Sequence, residues 1–181
     1  MKISKKLLIT IICAALAICV TAGGTVAYIF SKGQETENDF EPVFVSCDVE
    51  ESFDGVTKTD VKVRNTGDIN AYIRATFIVM WTSDSGSVYS SAPVENTDYK
   101  IVFGSPSWVK GSDGFYYYSL PVSSGSATDL LIQSISLIGE APEGYSLSVH
   151  ITATAIQAEP PKAVQDAWGA TVQAGGGLTP P

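Results

Sequence analysis

The sequence predicts an all-β protein: a two-sheet, antiparallel, jelly-roll-like β-sandwich, preceded by a signal-peptide helix and followed by a short helix and a disordered tail. Three observations predict it. Residues 71–82, AYIRATFIVMWT, are apolar at every odd position (Ala71, Ile73, Ala75, Phe77, Val79, Trp81), opposite a mixed face of Tyr72, Arg74, Thr76, Ile78, Met80 and Thr82. Residues 145–157 repeat the pattern, with Tyr145, Leu147, Val149, Ile151, Ala153 and Ala155 on one side and Ser146, Ser148, His150, Thr152 and Thr154 on the other. Elsewhere in the body, short β-rich runs alternate with Gly, Pro, Asn, Asp and Ser clusters, and no amphipathic helix intervenes. Period-2 alternation marks strands with one buried face, and closely spaced strands of this kind build sandwiches.

The N-terminus comes first because it is set aside before the fold is considered. Lys2, Lys5 and Lys6 precede an uncharged apolar run, residues 7–20, and Thr21-Ala22-Gly23-Gly24 then loosens the helix. Thr25-Val26-Ala27 offers small residues where a signal peptidase needs them, which places cleavage between Ala27 and Tyr28. The rival reading is a retained anchor, since no charge lies between Lys6 and Lys32 and such a run can span a hydrocarbon core of ~30 Å. Both readings export the folded part. The chain then divides into 1–27, the signal peptide; 28–42, a flexible mature N-terminus; 43–158, the sandwich; and 159–181, a short helix and a disordered tail.

Within the sandwich, residues 43–50 alternate with Val43, Val45, Cys47 and Val49 inward, and residues 59–64 return after Phe53-Asp54-Gly55 with Val61 and Val63 inward. Asn65-Thr66-Gly67-Asp68 supplies turn chemistry ahead of the long strand. Val88-Tyr89 is a short strand at best, and residues 99–103, YKIVF, form another. Trp108 to Lys110 and Phe115 to Tyr118 read as an aromatic hairpin around Gly111-Ser112-Asp113-Gly114. Residues 129–138 are apolar with a blurred period, as expected of a strand touched on both faces. Pro160-Pro161 ends the sheet, residues 162–168 suit two helical turns with Trp168 packing back, and the glycine-rich end reads as disordered. That end carries no LPxTG pattern, so covalent wall anchoring is not expected.

Composition narrows the function class. Removal of residues 1–27 leaves 8 basic against 19 acidic residues, a net charge of −11. Such a surface repels nucleic acid and anionic lipid, so neither is an expected partner, and contact with a membrane is expected only through an uncleaved N-terminal segment. Cys13 and Cys19 leave with the apolar run, and Cys47 alone cannot form an internal disulfide.

Catalytic inventories fail. The one histidine, His150, lies on the polar side of a strand, no HExxH segment exists, and no glycine-rich loop joins a strand to a helix. The reading is therefore a non-enzyme with no catalytic residue, no cofactor and no metal ligand set, with weak Ca²⁺ binding by Glu50, Glu51, Asp54 and Asp113 left open. Trp108, Phe115 and Tyr117 are candidates for an aromatic binding surface that would take glycans, against the alternative of core packing plus an aromatic edge pair. Tyr28, Ile29 and Phe30 are candidates for a donor strand, being an apolar start followed by a polar, acidic spacer.

Several motifs carry a resemblance. Gly23-Gly24-Thr25-Val26-Ala27-Tyr28 resembles the end of signal peptides processed by the SipW-type signal peptidase of Gram-positive bacteria. Asn65-Thr66-Gly67 followed by Ala71-Tyr72-Ile73-Arg74-Ala75 is similar to the matching segment of the TasA/camelysin group. Residues 108–118, 155–158 and 163–169 resemble members carrying this signal type. Ile29-Phe30-Ser31 departs from that group, which often has an aromatic followed by Asn/Thr-Asp. The resemblance implies export through that peptidase and a secreted jelly-roll-like sandwich that self-associates, or joins other matrix proteins, in extracellular fibres or biofilm matrix. Camelysin-like members have been described as metallopeptidases, but no position here matches a metal-ligand motif.

Overall fold

A computed structural model describes residues 43–54 and 57–181. Two four-stranded antiparallel sheets pack face to face. The first has the order β1-β2-β7-β4, built from Cys47–Phe53, Thr57–Asn65, Ile132–Leu137 and Tyr99–Phe103. The second has the order β5-β6-β3-β8, built from Trp108–Lys110, Tyr116–Tyr118, Ala71–Thr82 and Ser146–Gln157. A helix, α1 (Pro161–Trp168), and a two-stranded ribbon of β9 (Thr171–Val172) and β10 (Leu178–Thr179) complete the described chain. The all-β sandwich predicted from the alternation is the fold found.

The two strands with the cleanest alternation pair with each other along their whole length, from Ala71 opposite Gln157 to Thr82 opposite Ser146, without a register break. Their inward residues face the first sheet, and Ile73, Ala75, Val61, Val63, Leu131 and Ile132 are completely buried between the layers. Trp108 and Tyr118 close this core at one side, with ring centroids 5.3 Å apart.

The strand order departs from a full jelly roll, which closes by pairing its first and last strands. Here β1 pairs with β2, its sequence neighbour, across a connection of only residues 54–56. Short connections favour local hairpins. β8, the last strand of the sandwich, therefore has a partner on one side only among the described residues.

The blurred period of residues 129–138 has a local cause. β4 pairs Val102 with Ser134 and Phe103 with Ile132, so Gln133 is an extra residue and Ile132 and Ile135, three apart, both point inward. β2 is bulged beside it: Glu50 to Ser52 of β1 spans Lys62 to Thr59, and Asp60 takes a φ of 57°. The bulge turns Lys58, which pairs with Ile135, toward the opposite sheet.

Two sequence expectations are corrected. Val43 and Val45 are exposed rather than inward, and both precede Cys47, the first residue of β1, so the alternating strand starts after them. The glycine-rich end is not a disordered tail. Leu178 is buried with Tyr72, Tyr117 and Val164, Leu178 N–H donates to the Ser119 carbonyl at 2.8 Å, and Gly176 supplies a positive φ of 79° for the turn. The helix over 162–168 is present, starting at Pro161 and ending on Gly169 in the left-handed conformation.

Asn65 fixes the crossing from the first sheet to the second. It is completely buried, donates from Nδ2 to the carbonyls of Ile69 (2.7 Å) and Val122 (2.8 Å), and accepts from Gly67 N–H (3.0 Å). Gly67 itself allows a close approach, since a Cβ there would lie 2.6 Å from the Phe44 carbonyl oxygen. Asn65→Ala should leave the Ile69 carbonyl without this partner, while the Val122 carbonyl keeps Ala71 N–H and Gly67 N–H keeps the Ser46 carbonyl, and should cost about 1–3 kcal/mol in urea unfolding, the range for one orphaned buried group.

Candidate functional site

The aromatic hairpin does not form one surface. Alternation in β6 sends Tyr116 and Tyr118 toward the inter-sheet core and Tyr117 to the outer face of the second sheet. Trp108, opposite Tyr118, goes inward as well. Trp108 is 8 % exposed and donates from Nε1 to the Asp129 carbonyl at 3.0 Å. Tyr117 is completely buried, and Phe115 is half-buried beside it. Trp108, Phe115 and Tyr117 therefore split between two cores, and neither buried ring presents a stacking face. The packing alternative weighed from the sequence is the one the geometry matches.

What Phe115 and Tyr117 surround is Arg74. Its guanidinium lies 4.2 Å from the Phe115 ring centroid and 4.8 Å from that of Trp168 in α1. It donates to the Tyr117 hydroxyl (3.2 Å) and to Thr154 Oγ1 (3.3 Å), and pairs with Asp113 at 3.6 Å. A partly desolvated guanidinium between aromatic faces is a favourable cation–π arrangement. It joins the hairpin, the long strand and the C-terminal helix into a second, outer core. The sequence placed Arg74 on the mixed face of its strand, and no local signal marks an arginine as a stacking centre for a helix ninety residues away.

Asp113 completes the cluster by accepting from the Tyr117 hydroxyl at 2.7 Å and from Phe115 N–H at 3.2 Å. Burial pushes its carboxyl up, but the Tyr117 hydroxyl, the Phe115 amide and the Arg74 charge together outweigh that and hold it below its ordinary value. Burial, followed by the Asp113 carboxylate, pushes the Tyr117 phenol up.

The other acidic residues considered for calcium are engaged in ion pairs or hydrogen bonds. Glu50 meets Arg64 and Lys62, the Arg64 bond chiefly keeping its carboxyl below the usual range, while Glu51 meets Lys58 at 2.6 Å. Asp54 accepts from Thr57 N–H at 2.6 Å. Among the described residues, no group of three or more His, Cys, Asp or Glu side chains is placed to hold a metal ion. His150 is exposed on the outer side of β8, opposite Ile78. Cys47 is half-buried at the edge of the inter-sheet core, and burial, then Asp48, pushes its thiol up.

At one end of the sandwich a cavity of about 180 Å³ opens between the sheets, lined by Glu51, Phe53, Lys58, Ile135, Leu147 and Val149. Lys58 crosses its mouth and donates to the Val149 carbonyl at 2.9 Å. This contact was not legible in the sequence, since strict alternation puts Lys58 outside and only the Asp60 bulge turns it in. Ala27, Tyr28, Ile29 and Phe30, the cleavage and donor positions, lie outside the described residues. No helix among the described residues is long and apolar enough to cross a membrane.

Comparison with known proteins returned no matching family model, no matching curated protein and no matching solved structure.

Asp113 predicts a pH dependence. Its carboxyl is depressed in the folded state, so its contribution is present above the ordinary carboxylate pKa of ~3.9 and is lost as pH falls through the lower folded value. In urea unfolding at pH 7 and pH 3, the wild-type protein should lose more stability on acidification than Asp113→Asn.

Proposed function

We propose that this chain is an exported structural or interaction protein of the cell surface or extracellular matrix, of the TasA/camelysin type, released by a SipW-type signal peptidase. It self-associates by strand addition: an extended segment of one subunit satisfies the backbone donors and acceptors on an open sheet edge of the next. The donor is the apolar start of the mature chain, Tyr28, Ile29 and Phe30, carried on an acidic spacer. Donation from head to tail does not close on itself, so it builds filaments rather than rings.

The observation that supports this reading is the state of the sheet edges. Each sheet ends in strands paired on one side only among the described residues, and one of them, β8, is twelve residues long. Natural sandwiches shorten, bulge or charge their edges to prevent pairing with another chain. β8 is long, is paired in continuous register and carries no acidic or basic residue apart from the lone His150.

Deletion of residues 28–36 is expected to abolish filaments of the purified exported protein in negative-stain electron microscopy while leaving a folded monomer by circular dichroism. Undiminished filaments would rule out donation by this segment.

A further inference from the structure

We propose that the cavity at the end of the sandwich is a binding site for a neutral, ring-sized molecule bearing one hydroxyl, an alcohol or a phenol, held between the Lys58 ammonium and the Glu51 carboxylate. The site is independent of how the chain assembles. Its walls come from one row of each sheet. Lys58 pairs with Phe53 of β1 on one side and with Ile135 of β7 on the other, and residues directly opposite one another share a face. Ile135 is 1 % exposed and belongs to the inter-sheet core, so Lys58 and Phe53 lie on the inner face with it. Leu147 and Val149 of β8 close the space from the second sheet, leaving about 180 Å³ between the two rows.

Core packing does not account for the lysine. The inward row of a central strand is ordinarily apolar, and lysine is among the residues least often buried. Yet only 12 % of the Lys58 side chain is exposed, in a row whose neighbours are phenylalanine and isoleucine. Facing irregularities in two strands put it there: Glu50 to Ser52 of β1 spans Lys62 to Thr59 of β2, and Asp60 takes a φ of 57°. Glu51, the residue inside the β1 irregularity, comes to lie beside it, with Nζ 2.6 Å from Oε1. The outcome is one ammonium and one carboxylate on the wall of an otherwise apolar cavity, the composition of a small-molecule site.

Size limits the ligand first. A dry apolar cavity of ~150 Å³ takes benzene, so this one admits about six to eight non-hydrogen atoms, a single ring or its equivalent. The hydrogen-bond inventory limits it next. A lysine ammonium has three N–H donors. Among the described residues two are used, on Glu51 Oε1 and on the Val149 carbonyl at 2.9 Å, and one remains. The second carboxylate oxygen of Glu51 has no partner among the described residues.

A hydroxyl matches this pair, because it accepts from the ammonium and donates its own hydrogen to the carboxylate. A hydrocarbon does neither. A carboxylate ligand would be repelled by Glu51 and an amine by Lys58, so a charged ligand sets one attraction against one repulsion while losing its hydration. The net charge of −11 on the exported chain weighs further against an anion. A hydroxylated ring could arrive as a free small molecule or as a tyrosine side chain of another chain, and the chemistry of recognition is the same.

Titration of the purified exported protein with phenol, read by NMR on the methyl groups of Ile135, Leu147 and Val149, should give saturable shifts. Toluene, of the same size but without the hydroxyl, should bind about tenfold more weakly or worse, the effect of one hydrogen bond to a charged group, and benzoate and benzylamine should also bind more weakly than phenol. The double variant Lys58→Met with Glu51→Met removes both charges together and so leaves neither unpaired. It should bind toluene as the wild type does and lose the preference for phenol. Val149→Phe, which fills the space, should abolish binding of both. Equal affinity of the wild type for phenol and toluene, or a phenol preference that survives in the double variant, would overturn the roles of Lys58 and Glu51. Tighter binding of benzoate or benzylamine than of phenol would overturn the neutral ligand. Absence of saturable shifts with millimolar phenol and toluene would overturn the site. N-acetyltyrosinamide binding as tightly as phenol would uphold the site and assign its ring to a tyrosine of another chain, while binding of phenol alone would uphold it and assign a free small molecule.

Discussion

The ladder between β3 and β8 is the constraint on which the molecule depends. Twelve consecutive pairs, Ala71–Gln157 through Thr82–Ser146, hold together two strands far apart in the chain. Because side chains alternate with period 2, that single register decides which residues of both strands face the first sheet. It also decides which backbone groups of β8 are consumed and which are left over. The buried core and the open edge are two consequences of one pairing.

The outer face of the same two strands is divided. At the Ala71 end it is covered: Tyr72 donates to the Gly176 carbonyl at 2.8 Å, Ile156 packs with it, and Arg74 is enclosed by Phe115 and Trp168. Toward the Thr82 end it is more open, and Ile78 is 60 % exposed. The helix and ribbon that do the covering are short, and neither would be stable alone. Their order derives from the apolar residues they bury, Val164, Ala170 and Leu178, and from the cation at the centre.

Two one-residue bulges have consequences beyond their size. Gln133 in β7 sets Ile132 and Ile135 on the same side, and Asp60 in β2 turns Lys58 from the outside toward the other sheet. A lysine facing inward at the rim is a recognised means of blunting an edge. Here it reaches one carbonyl of β8, so the protection is local and the remainder of that edge stays available.

By itself the sequence determined the sandwich. The alternation in residues 71–82 and 145–157 gave both long strands and their inward faces, and Asn65 and Gly67 were legible as turn residues because short polar side chains and a missing Cβ act locally. The candidate sites were another matter. Composition left Trp108, Phe115 and Tyr117 open between a binding surface and core packing, and the Gly-Thr-Pro end read as disorder because one leucine among glycines carries no period. Which face of a hairpin meets a core, which partner a strand lacks, and whether a lysine points outward depend on contacts between residues distant in sequence. Only the tertiary structure decided those, because a strand pattern specifies two faces but not what covers either of them, nor what lies along its edge.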